Sequence, residues 1–361
     1  MRRRMPPAAA VSALLALRDR LARVYRGIVP PSVRVLEGTF GLIETKALGT
    51  AAELGVADAL ADGPCSTAEL VARVPADPDG LARLLGLLVS LGYFRRARGD
   101  RWANNAASDH LRRDHPDSLR DWARFMGADW TGSIWNELPG AVRTGRSGTE
   151  AAFGTSFFEL MEDRPELGGL FDAAMAGASR FTAPMFAAGY DFSGIRQICD
   201  VGGGTGALLA TVLAAHPHLD GVLFDLPRVV LNAPPVLRDH GVADRVEVVG
   251  GDFFATVPGG CDCYVMQSIV HDWDDDACVR ILRATRDAMA TDARLLLLEA
   301  ILPTSDVLHP ARYADLMMLV LTGRGRERTR VEYEQLAARA GLRVERVVSV
   351  VTRDVLELVR A

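Results

Sequence analysis

Three polar residues in the carboxy-terminal half are of types that can pass a proton among themselves. His271 lies in Met266-Gln267-Ser268-Ile269-Val270-His271-Asp272-Trp273, at the end of a β-rich run. Glu299 closes the next such run, and Glu327 sits in Gly325-Arg326-Glu327-Arg328-Thr329, ahead of a helical stretch. An imidazole titrates near neutral pH, and carboxylates flanking it orient the ring and raise its basicity. Such a set is suited to taking a proton from a hydroxyl. It provides a single soft ligand and no second His four residues on, so no metal centre is expected.

A glycine-rich loop offers a binding function. Asp200-Val201-Gly202-Gly203-Gly204-Thr205-Gly206 follows the apolar run Gln197–Val201 and precedes the helical run Ala207–Ala215. Glycines such as Gly202 and Gly204 let backbone approach a ligand closely, and the following helix presents free N–H groups. As G-x-G-x-G the loop suits a methyl donor; with Ala207 it also satisfies the dinucleotide form G-x-G-x-x-A. Asp225 ends the next run, where a carboxylate can accept both hydroxyls of a ribose. Both cofactors carry that ribose, so the loop leaves both open. In Gly251-Asp252-Phe253-Phe254 the acid can accept an adenine amine and the ring can pack on the base, although Asp252 would serve equally as a helix cap.

These residues need strand ends to hold them. From Gly194 onward, short β-rich runs (Gln197–Val201, Val222–Asp225, Val246–Val249, Cys263–Gln267, Ala293–Glu299) alternate with helical stretches such as Ala207–Ala215 and Asp275–Ala290. Two nearly abutting runs, Arg343–Val350 and Thr352–Val359, predict a closing antiparallel hairpin. The expected architecture is an α/β, doubly wound sheet with a reversed carboxy-terminal strand.

The amino-terminal part reads differently. Leu14, Leu17, Leu21, Val24 and Ile28 keep helical spacing and predict a helix that wants a partner helix. Residues 40–113 read as a compact helical unit. Ser66 and Glu69 form a capping-box pair, Asp77-Pro78-Asp79 opens a Leu-rich helix, and a strand from Gly92 turns at Gly99-Asp100 into a return strand. Three helices and a small hairpin make a winged helix, a shape that DNA-binding regulators also use. Residues 114–190 are helical and rich in aromatic residues and Met, a core composition that also suits the wall of an apolar pocket.

Composition sets the outer limits. A chain of 361 residues, 49% hydrophobic with net charge −5, has material for about two domains. No apolar run approaches the ~20 residues of a membrane span. Five scattered cysteines without C-x-x-C spacing predict reduced thiols in a cytoplasmic protein. Residues 1–50 carry nine basic groups, among them Arg2, Arg3 and Arg4, against three acidic ones. The acidic remainder argues against a nucleic-acid footprint.

Taken together, the motifs resemble the S-adenosylmethionine-dependent small-molecule O-methyltransferases of the plant caffeate and bacterial polyketide type, over nearly the whole chain. The resemblance implies a Rossmann-like class I methyltransferase sheet and a mainly helical winged-helix dimerisation domain. The boundaries expected are 1–113 for dimerisation, 114–190 for a connector lining the acceptor pocket, and 191–361 for the catalytic domain. It implies His271 as catalytic base, held by Glu299 and Glu327. It also implies Gly202, Gly204, Asp225, Leu226, Asp252 and Phe253 as S-adenosylmethionine contacts, with Trp273 near the adenine and Met175 and Met318 near the acceptor ring. Gln267 stands where plant members often carry a Lys that helps anchor the cofactor; it can hydrogen-bond but supplies no charge. The expected activity is methylation of a hydroxyl on an aromatic natural product by a homodimer. An NAD-dependent dehydrogenase, a winged-helix ligand sensor, and transfer to N or C are the alternatives.

Overall fold

The computed structural model of the protein describes residues 8–350 and 353–361. Arg2, Arg3, Arg4 and Thr352 lie outside them. The chain divides into two compact units. Val24–Trp135 and Leu160–Ala178 form one; Asn136–Glu159 and Ser179–Ala361, with the amino-terminal segment to Arg23, form the other. Among the described residues no helix is long and apolar enough to cross a membrane.

The unit built on Val24–Trp135 contains the winged helix. Ser66 and Glu69 make the capping box that starts Thr67–Val71, and Asp77 caps Pro78–Ser90 by accepting the Gly80 amide. Leu81, Leu85 and Leu88 recur at helical spacing and are buried with Phe94 and Trp102. Strands β1 (Arg95–Ala97) and β2 (Arg101–Ala103) pair antiparallel. The sequence placed the first of them from Gly92. Instead Gly92, at φ +82°, ends the helix: its amide donates to Val89 O, and that of Tyr93 to Leu88 O. Lys46, the one lysine of the chain, donates from Nζ to Gly127 O at 2.9 Å, closing the carboxyl end of Arg120–Gly127.

The other unit contains the sheet: β3 (Gln197–Val201), β4 (Asp220–Asp225), β5 (Val246–Gly250), β6 (Cys263–Gln267), β7 (Arg294–Glu299), β8 (Leu342–Val350) and β9 (Arg353–Arg360). Its order is β5-β4-β3-β6-β7-β9-β8, parallel except for β9, which runs antiparallel to both neighbours. Alternate strand residues go to opposite faces. Ile198, Cys263, Val265, Leu296 and Leu298 pack on one face with the helix Ala207–Ala215 and the end of Pro165–Gly189. Cys199, Val201, Tyr264, Met266, Leu295 and Leu297 pack on the other with Asp275–Ala288 and Arg330–Ala340. Both faces are covered, so the strands read as continuous apolar runs. The chain leaves β3 on one side towards β4 and on the other towards β6, and the crevice at such a reversal lies at the carboxyl ends of the strands.

Candidate active site

The carboxyl ends of β6 and β7 bring the polar triplet together. After β6, Ser268 takes a left-handed conformation (φ +56°) and a short 3₁₀ turn, Val270–Asp272, carries His271. A non-glycine residue held there is a local strain that the surroundings must enforce. Glu299, at the end of β7, enforces it: its Oε1 accepts the amides of Ile269 at 3.1 Å and Val270 at 2.9 Å. Glu327 arrives from the loop between Pro310–Leu321 and Arg330–Ala340, and its Oε1 lies 2.8 Å from His271 Nδ1. That loop is stitched in place, because Arg326 N–H donates to His271 O at 2.7 Å and Glu327 N–H to Asp315 Oδ1 at 3.0 Å. The two acids were expected to hold the ring alike. They do different work: Glu299 Oε2 is 3.7 Å from Nδ1 and acts mainly on the turn. All three side chains are buried.

The sequence reading missed Asp272, whose Oδ1 lies 3.5 Å from His271 Nε2, although the residue stands beside His271 in the same block. Burial is the largest single influence on the imidazole and opposes its charge. The carboxylates of Asp272, Glu299 and Glu327 together outweigh it and push the pKa up to about 10. Burial raises Asp272 to about 7, against the pull of His271, and raises Glu299 as well. Donor atoms of His271, Glu299 and Glu327 lie within 4.8 Å of one another. With Nδ1 held by Glu327 and Glu299 Oε1 engaged by two amides, the group is organised to hold a proton.

The glycine loop and Asp225 form a second arrangement. Gly202 and Gly204 have φ of +71° and +60°, and a Cβ on Gly202 would lie 2.5 Å from the Ile269 side chain. A Cβ on Gly204 would meet nothing, leaving the backbone open to a ligand. Asp225 Oδ2 accepts the Gly204 amide at 2.8 Å and Oδ1 the Leu226 amide at 2.6 Å, so the acid shapes the loop it faces. Asp200, missed from the sequence, lies beneath it: a Cβ on Gly203 would come within 2.7 Å of its carboxylate. Among the described residues neither Asp200 oxygen has a well-formed hydrogen bond, the Leu209 amide being only a marginal donor. Burial, then the charge of Asp225, pushes Asp200 up to about 7, and burial also raises Asp225. A buried acid and a half-buried one under a glycine loop repel a pyrophosphate and suit a ligand carrying positive charge and a ribose. These residues therefore fit S-adenosylmethionine rather than a dinucleotide.

The remaining expected contacts lie on several further elements. Asp252 accepts the Phe254 amide at 2.8 Å in a turn after β5, with Phe253 next to it. The Trp273 ring stacks on Phe158, with centroids 5.4 Å apart and planes at 15°, and meets Phe254 edge-on at 4.7 Å. Phe158 belongs to the aromatic-rich stretch 114–190, whose composition suited either core or pocket wall. Gln267 Nε2 donates to Ser179 Oγ and Thr182 Oγ1, each at 3.1 Å, while its buried Oε1 has no partner among the described residues. Met318 is buried in Pro310–Leu321, in the unit of His271; Met175 belongs to the other unit.

The chain is similar to known proteins over most of its length. A family model described as the O-methyltransferase domain matches residues 135–343, and one described as the O-methyltransferase dimerisation domain matches residues 36–114. Mitomycin biosynthesis 6-O-methyltransferase of Streptomyces lavendulae is 40% identical, over 86% of this chain and 88% of its own. Phenazine O-methyltransferase PhzM of Lysobacter antibioticus is 37% identical, over 89% and 94%. Among solved structures, LaPhzM superposes with a TM-score of 0.88 at 36% identity, covering 92% of this chain and 100% of that one. Human N-acetylserotonin methyltransferase, solved in complex with SAM, gives 0.83 at 28% identity, covering 92% and 98%. The chain belongs to the S-adenosylmethionine-dependent O-methyltransferases that carry an amino-terminal dimerisation domain.

Proposed function

We propose that the protein methylates a hydroxyl of a phenolic or polyketide-like aromatic natural product, with His271 as general base. The observation that carries this reading is the contact between Glu327 Oε1 and His271 Nδ1. With Nδ1–H donating to Glu327, the neutral ring keeps its lone pair on Nε2, free to accept a hydroxyl proton. An amine needs no such base before it attacks, so the arrangement favours a hydroxyl acceptor. Gly202 and Gly204, by close approach of their backbone, with Asp225, Asp252 and Phe253 would hold the cofactor, together with Leu226, Gln267 and Trp273. When bound, S-adenosylmethionine supplies the methyl group and a positive charge that opposes a second one on the imidazolium. Asp272 and Glu299 keep the ring and its turn in place, and the buried setting excludes water from the proton transfer.

Relatives support the acceptor class. Their names include 3-amino-4-hydroxybenzoate 4-O-methyltransferase and 2,7-dihydroxy-5-methyl-1-naphthoate 7-O-methyltransferase. We also propose a cytoplasmic homodimer without a nucleic-acid partner. In it, residues 1–113 serve dimerisation, 114–190 line the acceptor pocket and 191–361 carry catalysis. Leu14, Leu21, Ile28, Val35 and Leu42 are each at least 60% exposed, apolar side chains that a second copy would cover. Incubation with S-adenosylmethionine and a panel of hydroxylated benzoates, naphthoates and phenazines, read by mass spectrometry, tests the reading. An O-methyl product supports it; methylation confined to nitrogen or carbon counts against it.

A further inference from the structure

We propose that Arg328 is a positioning residue for the methyl transfer, holding the turn that presents His271. The inference rests on His271 acting as base. Arg328 is 1% exposed, a charge that burial penalises unless its five donors find acceptors. They find them on both sides of His271. Nη1 donates to Val270 O at 3.2 Å and Nη2 to Trp273 O at 2.8 Å, so one rigid guanidinium spans the 3₁₀ turn. Nη1 also donates to Arg326 O at 3.2 Å, tying in the loop that bears Glu327. The planar fork is itself oriented by Asp275, whose Oδ1 accepts from Nε at 3.0 Å and Nη2 at 2.8 Å. The Cys278 thiol approaches the same two carbonyls, at 3.1 Å from Val270 O and 3.4 Å from Trp273 O.

The arrangement has a chemical consequence. Val270 and Trp273 flank His271, and Arg326 precedes Glu327, so Arg328 sets the distance between base and carboxylate without touching either. Lys cannot replace it, because an ammonium lacks the planar fork that reaches carbonyls on two segments and a carboxylate together.

A double-mutant cycle tests this. Arg328→Lys should lower kcat by about 10- to 100-fold, the scale of a catalytic group displaced by an ångström. KM for S-adenosylmethionine and acceptor should stay within about threefold. In a His271→Ala background the same substitution should cost little more, because the group it positions is gone. Free guanidinium at sub-denaturing concentration should restore part of the turnover of Arg328→Ala, while the same concentration of sodium chloride should not. Should the Arg328 variants fail to fold, Asp275→Ala, at a half-exposed site, takes their place in the cycle with a smaller loss in kcat. Full kcat in the folded variants, a loss confined to KM, or an equal loss with and without His271 would overturn the proposal. Full turnover by His271→Ala alone would instead overturn the assignment of the base.

Discussion

Glu327 Oε1 lies 2.8 Å from His271 Nδ1, whereas Glu299 approaches the same nitrogen only to 3.7 Å and gives its other oxygen to the amides of Ile269 and Val270. The two substitutions should therefore fail differently. Glu299→Ala leaves the buried Val270 amide and the part-buried Ile269 amide without an acceptor and should lower stability by about 1–3 kcal/mol, read by chemical denaturation. Glu327→Gln should leave stability less affected and act on the pH profile. Nearby carboxylates favour the charged imidazole, with a pKa of about 10 in the cofactor-free protein, so neutral base accumulates as pH rises. The acidic limb of kcat/KM for the acceptor should lie above the ordinary imidazole value of about 6.5. Removing one carboxylate charge should move it down. A limb unmoved in Glu327→Gln would exclude the imidazole as the group titrating.

Turnover should depend on the ring far more than cofactor affinity does. His271→Ala is expected to lose about 10²–10⁴ in kcat, the span of general-base catalysis, with S-adenosylmethionine affinity changed only a few-fold by calorimetry. On an acceptor already ionised at assay pH the deficit should shrink as pH rises through the acceptor's own pKa. Undiminished turnover on a neutral hydroxyl across the pH range would leave proximity as the source of catalysis.

Asp225 shapes the glycine loop and, in the proposed function, binds the ribose. Asp225→Ala should weaken S-adenosylmethionine binding by about 1.5–3 kcal/mol, the range for hydrogen bonds to a charged group. Titration calorimetry on the folded variant measures it. Unchanged affinity would remove the carboxylate from the site.

Leu14, Leu17, Leu21, Val24 and Ile28 are all more than half exposed on the helix Ala8–Ile28. Light scattering at micromolar concentration should give the mass of a dimer, and removal of residues 1–30 should lower both mass and thermal stability. A monomeric mass for the untruncated 361-residue chain, or a truncation without effect on mass class and stability, would contradict this assignment of the surface.

Much of the framework was legible because its signals are local. The strand–loop–helix Gln197–Ala215, the capping box at Ser66 and the hairpin turning at Gly99-Asp100 each depend on residues a few positions apart. The reactive residues were legible by type and by place, since His271 and Glu299 both stand at strand ends. Their division of labour was not. Glu299 reaches amides 29 and 30 residues back, Glu327 an imidazole 56 back, and Gln267 hydroxyls 85 and 88 residues away. Those pairings follow from the order in which strands and helices assemble, about which a local pattern carries no information. The position of Gly92 as a helix end, rather than a strand start, likewise depended on which carbonyls the helix left free. Burial decided the rest: Asp200 is an ordinary acid in the sequence. Its pKa rises to about 7 because burial in the packed sheet, and then the charge of Asp225, disfavour its ionised form.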